Sequence, residues 1–122
     1  MSGTIVSSLQ MAIVNGTLSE DRNIAPATIT QTTIGGGNPG TVTVTTSEGD
    51  ITIGLTTPGN IVIENLDSAN YVEYGPKSGG AMILLGKILA GDWHKFYLGA
   101  SVTLRMKANT ASVKLRIRCD EV

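Results

Sequence analysis

The chain is predicted to be all-β: an antiparallel β-sandwich, jelly-roll-like, with an N-terminal arm or hairpin. Three observations carry this. Turn signals recur at short intervals, nine of them within 122 residues, which leaves room for about ten short strands. Between them apolar and polar residues alternate with a period of two, the pattern of strands with one buried face. No stretch of useful length repeats at helical spacing, and the chain leans on Thr, Val and Ile, which fit a pleated surface.

Taken in order, the first turn is Asn15-Gly16, a strong hairpin signal. The segment from Thr17 to Thr33 is less regular: the run "SEDRN" interrupts it, and Pro26 confines any strand there to an edge or an arm. Residues 1–40 therefore read as a strand or arm region of the same domain, either extended, exchanged with a neighbour or docked on a partner, or folded as an ordinary first hairpin. Residues 41–122 read as the sandwich core. "GGGNPG" at 35–40 leads into "TVTVTTSEGDITIGL", in which Val42 and Val44 alternate with Thr41, Thr43 and Thr45. The acidic turn "SEGD" follows, then Ile51, Ile53 and Leu55 alternate with Thr52 and Gly54. Further turns are "TPGN" (57–60), "LDSAN" (66–70), "GPKSGG" (75–80), "LAGD" (89–92), "LGAS" (98–101) and "ANTAS" (108–112). Val102, Leu104 and Met106 alternate with Thr103, Arg105 and Lys107. Val113, Leu115, Ile117 and Cys119 alternate with Lys114, Arg116 and Arg118.

Composition narrows the function classes. Aromatics are 4% of residues, so Val, Ile, Leu and Met must build the core. A net charge of −1 argues against a dedicated nucleic-acid binder, which is usually basic. Charge is uneven along the chain: residues 1–73 hold one base and seven acids, residues 74–122 eight bases and three acids. Such asymmetry lets one subunit's basic face meet a neighbour's acidic face, or evens out within one sandwich. A single cysteine, Cys119, excludes an intrachain disulfide framework and fits assembly in a reducing cytosol. The start "MSGTIVSSLQMAIVNG" lacks the basic region of an export signal, and runs such as "AMILLG" are too short to span a bilayer. The expectation is no export and no membrane.

Candidate chemistry is sparse. The one histidine, His94, would need a nucleophile such as Ser101 or Cys119 and an acid such as Asp92. Neither nucleophile sits in a recognisable nucleophile turn, and His94 is in phase with Phe96 and Leu98, facing the core or a seam. One His and one Cys among scattered acids supply no metal ligand cluster, so no cofactor, metal or enzymatic activity is expected. "GGGNPG" lacks the Lys-Ser/Thr pair and following helix of a phosphate loop. Asn15-Gly16-Thr17 matches a glycosylation sequon but is explained by the hairpin turn. Cys119 reads as a small core hydrophobe. Tyr71, Tyr74, Trp93 and Tyr97 offer either a sugar-stacking platform or core or seam packing. The clearest constellation is basic. Val102–Lys107 and Val113–Arg118 flank the turn Ala108–Ser112 as a last hairpin, so Arg105, Lys107, Lys114, Arg116 and Arg118 project from one face with no acid among them. That face is either solvated or set against a negative partner.

The segments "GNIVIENLDSANYVEYG", "ILAGDWHKFYLG" and "VTLRMKANTASVKLRIRCDEV" resemble small β-structured virion proteins of tailed bacteriophages. The motif residues are Asn65–Glu73, Leu89–Asp92 and Lys107–Ala111, and the resemblance spans roughly residues 59–122. It implies an assembly role without catalytic residues: a capsid decoration (cement) protein, or a neck, tail or baseplate component. It further implies a major capsid protein as partner, a location on the capsid surface after assembly in the host cytoplasm, and a homo-oligomer with a trimer as the first expectation. A carbohydrate-binding receptor-recognition module is the alternative of another class.

Overall fold

The computed structural model describes residues 3–15, 18–31 and 38–121. Among them are eleven strands and no helix: β1 (Gly3–Asn15), β2 (Leu18–Gln31), β3 (Asn38–Val44), β4 (Gly49–Ile51), β5 (Pro58–Asn65), β6 (Val72–Ser78), β7 (Ala81–Met82), β8 (Gly86–Ile88), β9 (Trp93–Tyr97), β10 (Leu104–Ala108) and β11 (Val113–Glu121). The all-β, antiparallel expectation holds at this level. Strands β1–β2 form one compact unit and β3–β11 another.

In the first unit β1 and β2 pair from Gly3↔Gln31 to Asn15↔Leu18 as a two-stranded antiparallel sheet. The polar run "SEDRN" does not interrupt β2, contrary to expectation, because the ladder is made of backbone bonds that a charged residue does not remove. Pro26 behaves as predicted. The register steps from Ser7↔Ala27 to Leu9↔Ile24, so Ser8 faces Ala25 and Pro26 together in a bulge that needs no Pro26 amide. Gly16 and Thr17, which hold most of the predicted first turn and sequon, and Gly35–Gly37 of "GGGNPG" lie outside the described residues. The rest of that segment, Asn38-Pro39-Gly40, already belongs to β3 and pairs with β11.

The second unit has two antiparallel sheets. One runs β3-β11-β5-β9; the other runs β4-β10-β6, with β7 and β8 both pairing along the far side of β6. Strands that pair around the centre of the chain are nested: β6 with β7 and β8, β5 with β9, β4 with β10, β3 with β11. Consecutive strands therefore change sheet at nearly every connection. The exceptions are β6–β7 and β7–β8, which stay along β6; in the first, Ser78↔Ala81 leaves a two-residue loop of Gly79 (φ 61°) and Gly80 (φ 87°). Positive φ at both central residues is the type I′ requirement, which glycine meets without strain.

Alternation has its predicted consequence. Val113, Leu115, Ile117 and Cys119 of β11 are fully buried, as are Ile61 and Ile63 of β5, and they meet Leu104 and Met106 of β10, Val72 and Tyr74 of β6 and Ile88 of β8 in one apolar core. Val44 and Ile53 join the core, while Thr41, Thr43, Thr45 and Thr52 are exposed. Val102 departs from expectation: it precedes β10 and is exposed.

Candidate functional site

The five predicted basic residues do not share a face. β10 lies in one sheet and β11 in the other, so the connection at 109–112 is a crossing between sheets and not a hairpin. The inward residues of both strands meet in the core, so their outward residues leave on opposite sides of the second unit. Lys114, Arg116 and Arg118 lie on the outer face of the β3-β11-β5-β9 sheet, and Arg105 and Lys107 on the outer face of the other. The expectation that no acid stands among them also fails. Arg116 Nη1 is 3.7 Å from Glu64 Oε2, and Arg118 Nη2 is 3.2 Å from Asp120 Oδ1. The first sheet's outer face carries a cross-strand row Thr41, Arg116, Glu64, Trp93, with Arg118, Val62 and Lys95 in the next row.

Arg105 is a structural clamp. Its Nη1 donates to Glu48 Oε1 and to the Gly80 carbonyl, both at 2.7 Å, and its Nε donates to Asp50 Oδ1 at 2.8 Å. Lys77 Nζ adds a contact to Asp50 Oδ2 at 3.2 Å. Glu48 Oε1 also accepts from the Met82 amide at 2.6 Å. Arg105 first, then the Met82 amide, hold the Glu48 carboxyl below its ordinary pKa; Arg105, then Lys77, do the same for Asp50. The clamp ties β4 and β10 to the segment that follows the Gly79-Gly80 turn. That segment is also fastened along β6: the Ile83 amide donates to the Pro76 carbonyl at 2.8 Å and the Leu85 amide to the Tyr74 carbonyl at 2.9 Å. The approach is so close that a Cβ at Gly75 would overlap the Ile83 carbonyl. Held this way, Ile83, Leu84 and Leu85 are 57%, 58% and 70% exposed.

A second feature is an open cleft of ≈ 520 Å³ between the 65–70 and 89–92 loops, lined in part by Glu64, Leu66, Asp67, Asp92 and Trp93. Asn65 builds it. Its buried side chain donates to the carbonyls of Asn70 (2.9 Å) and Ile88 (3.1 Å) and accepts from the Asp67 amide (2.9 Å). Its backbone amide donates to Asp92 O at 2.9 Å, and its carbonyl accepts from Gly91 at 3.2 Å. Asp67 caps its own loop through the Asn70 and Ala69 amides, which depress its pKa. Trp93 stands 48% exposed at the rim. Two of the motif segments singled out in the sequence thus converge on one side chain. Among the described residues, no three His, Cys, Asp or Glu side chains gather in a way that could hold a metal ion.

The four candidate aromatics separate. Tyr74 is in the core, its hydroxyl 2.8 Å from His94 Nδ1 and its ring stacked on Phe96 at 6.0 Å. Tyr71 lies under Lys87, whose Nζ is 4.3 Å from the ring centroid. Trp93 and Tyr97 lie on the outer face of β9 and are exposed, not packed in the core. His94 turns inward onto Tyr74, the core side of the expectation, with Asp92 Oδ2 at 3.7 Å from its Nε2. Burial raises the Tyr74 and Cys119 pKa values, which keeps both groups protonated and poorly nucleophilic near neutral pH. Sequence reasoning missed the Arg105 clamp, the Asn65 keystone and the exposed aliphatic segment. Only the last left a signal: "AMILLG" breaks the alternation kept elsewhere. Comparison with protein-family models, curated proteins and solved structures gives no match.

Proposed function

We propose that this chain is a non-enzymatic virion structural protein of the capsid decoration (cement) type, a homo-oligomer that binds the major capsid protein and bridges neighbouring subunits. The observation that carries the reading is the nested strand pairing of the second unit. With β7 and β8 counted as one interrupted strand, eight strands pair first with last, second with next-to-last, and so inward. One long hairpin wound into two sheets gives this order, and the order supports a jelly-roll reading, an architecture of viral capsid proteins and lectins. Fold alone does not assign function; the phage-virion resemblance of residues 59–122 supplies the rest. The mechanism is adhesive. Binding to the assembled lattice and not to free subunits stabilises the lattice by mass action. Lys114, Arg116 and Arg118, with Lys95 on the same outer face, are the bases offered to an acidic capsid surface; Lys107 has the opposite face, and Arg105 is committed to Glu48 and Asp50. The test is co-sedimentation with undecorated capsids, comparing the parent with Lys114→Glu plus Arg116→Glu at low and moderate salt. Loss of binding by a folded double mutant supports the reading; equal binding at both salts contradicts the role of this face.

The Trp93 cleft favours a second reading, a carbohydrate-recognition module. An exposed indole beside carboxylate acceptors suits a sugar ring that stacks on one side and donates hydroxyl hydrogens on the other. Glycan-array binding abolished by Trp93→Ala would select it.

A further inference from the structure

We infer that the segment Met82–Leu85 is the surface on which a second copy of this chain docks. The inference deepens the homo-oligomer part of the proposed function and rests on it. Three consecutive large aliphatics are each more than half exposed, although strand alternation would have turned at least one inward. A run of this kind on a folded surface is either a defect or an interface. The segment is held in place. The Ile83 and Leu85 amides bond to β6, the Met82 amide to Glu48, and the Gly80 carbonyl to Arg105, while Gly75 allows the backbone to lie flat against β6. A surface fixed before binding loses little freedom when it is covered.

The occupant follows from charge and area. No charged residue lies between Gly79 and Gly86, so the segment can face its own image without like-charge repulsion. Both outer sheet faces carry several charges and lack that property. Three half-exposed Ile and Leu side chains leave on the order of several hundred Å² of surface, the scale of the largest apolar patch on a typical monomer. Self-pairing doubles it, and a polar rim brings the contact toward the ~1,200 Å² of a small specific interface.

The experiment is sedimentation of the full chain across concentration, comparing the parent with Leu84→Asp plus Leu85→Asp. Both side chains are exposed, so the far-UV circular dichroism should not change. Leu84→Ser plus Leu85→Ser provides a milder pair expected to act in the same direction if the Asp pair disturbs it. The parent should self-associate at micromolar concentration, and the Asp pair should weaken association by about 100-fold or more, because it sets like charges against each other in an apolar contact. Thr43→Asp, on the exposed outer face of β3, should leave association as in the parent. Association of the Asp and Ser pairs with the parent's concentration dependence would overturn the inference, as would a parent that stays monomeric to about 100 µM. Capsid co-sedimentation separates the two levels. Decoration by the parent together with unchanged association of the variants removes this surface and keeps the decoration reading. Dissociation of the variants with no capsid binding by the parent does the reverse.

Discussion

Arg105 shows how a residue that reads as a surface cation becomes a structural part. Its side chain is 16% exposed and meets two carboxylates and a carbonyl from chain segments 25 to 57 residues away. Arg105→Ala removes one partner from each of Glu48 and Asp50 and releases the Gly80 carbonyl. It is expected to lower the urea midpoint with an unchanged slope. The same clamp sets a pH dependence. The folded pKa values of Glu48, Asp50 and Asp67 are depressed, so the stability they contribute is complete above the ordinary carboxylate range and drains as pH falls through the folded values. The urea midpoint should be flat from neutral pH to about pH 5 and fall below it, and the fall should be shallower in Arg105→Ala. Gly75 is the second residue with an outsized role. Any Cβ there meets the Ile83 carbonyl, which is backbone and cannot swing aside. Gly75→Ala should cost about 1–3 kcal/mol by the ordinary penalty of overpacking, and hydrogen exchange should show the Ile83 and Leu85 amides losing protection first.

At the scale of elements, β11 and Asn65 hold the second unit together. β11 is flanked on both sides by β3 and β5 and places four fully buried side chains in the core. Ile117→Ala should cost about 2–5 kcal/mol in chemical denaturation, the range for truncating a buried aliphatic. Asn65→Ala should cost about 1–3 kcal/mol, since it strips partners from the Ile88 carbonyl and the Asp67 amide. It should also loosen the cleft beside Trp93, visible as a change in indole fluorescence. Strand existence and inward faces were legible in the sequence because a period of two is a property of each strand alone. Val113, Leu115, Ile117 and Cys119 were assigned inward on that basis, and all are buried. Sheet membership was not legible. A hairpin and a crossing between sheets give β10 and β11 the same alternation, and the difference lies in partners far along the chain: Arg105 opposite Asp50, Arg116 opposite Glu64. For that reason five bases predicted on one face are divided between two. The Arg105 clamp was hidden likewise, because a pairing across 57 residues leaves no local pattern.

For the whole molecule, the structure separates what holds the fold from what is left to bind. Reactive groups are spent on packing: His94 on the Tyr74 hydroxyl, Cys119 in the core. Among the described residues, what faces outward includes Thr, loosely paired charge, two aromatics on β9 and an uncharged aliphatic segment fixed against β6. Those are materials for adhesion over an area, in keeping with the proposed role on a lattice. Exposed ion pairs are worth only ~0–1 kcal/mol each, so one charge reversal on the β11 face should alter capsid binding little. The double reversal Lys114→Glu plus Arg116→Glu should alter it strongly, because the change repeats at every copy. The most direct measurement of the central claim is co-sedimentation of the purified parent chain with undecorated phage capsids, the partner proposed above, read as copies bound per capsid against added protein. Binding that saturates at a fixed number of copies per lattice unit, and raises the temperature at which the capsid ruptures, is the predicted result. No saturable binding at low salt, with rupture unchanged, would contradict the claim.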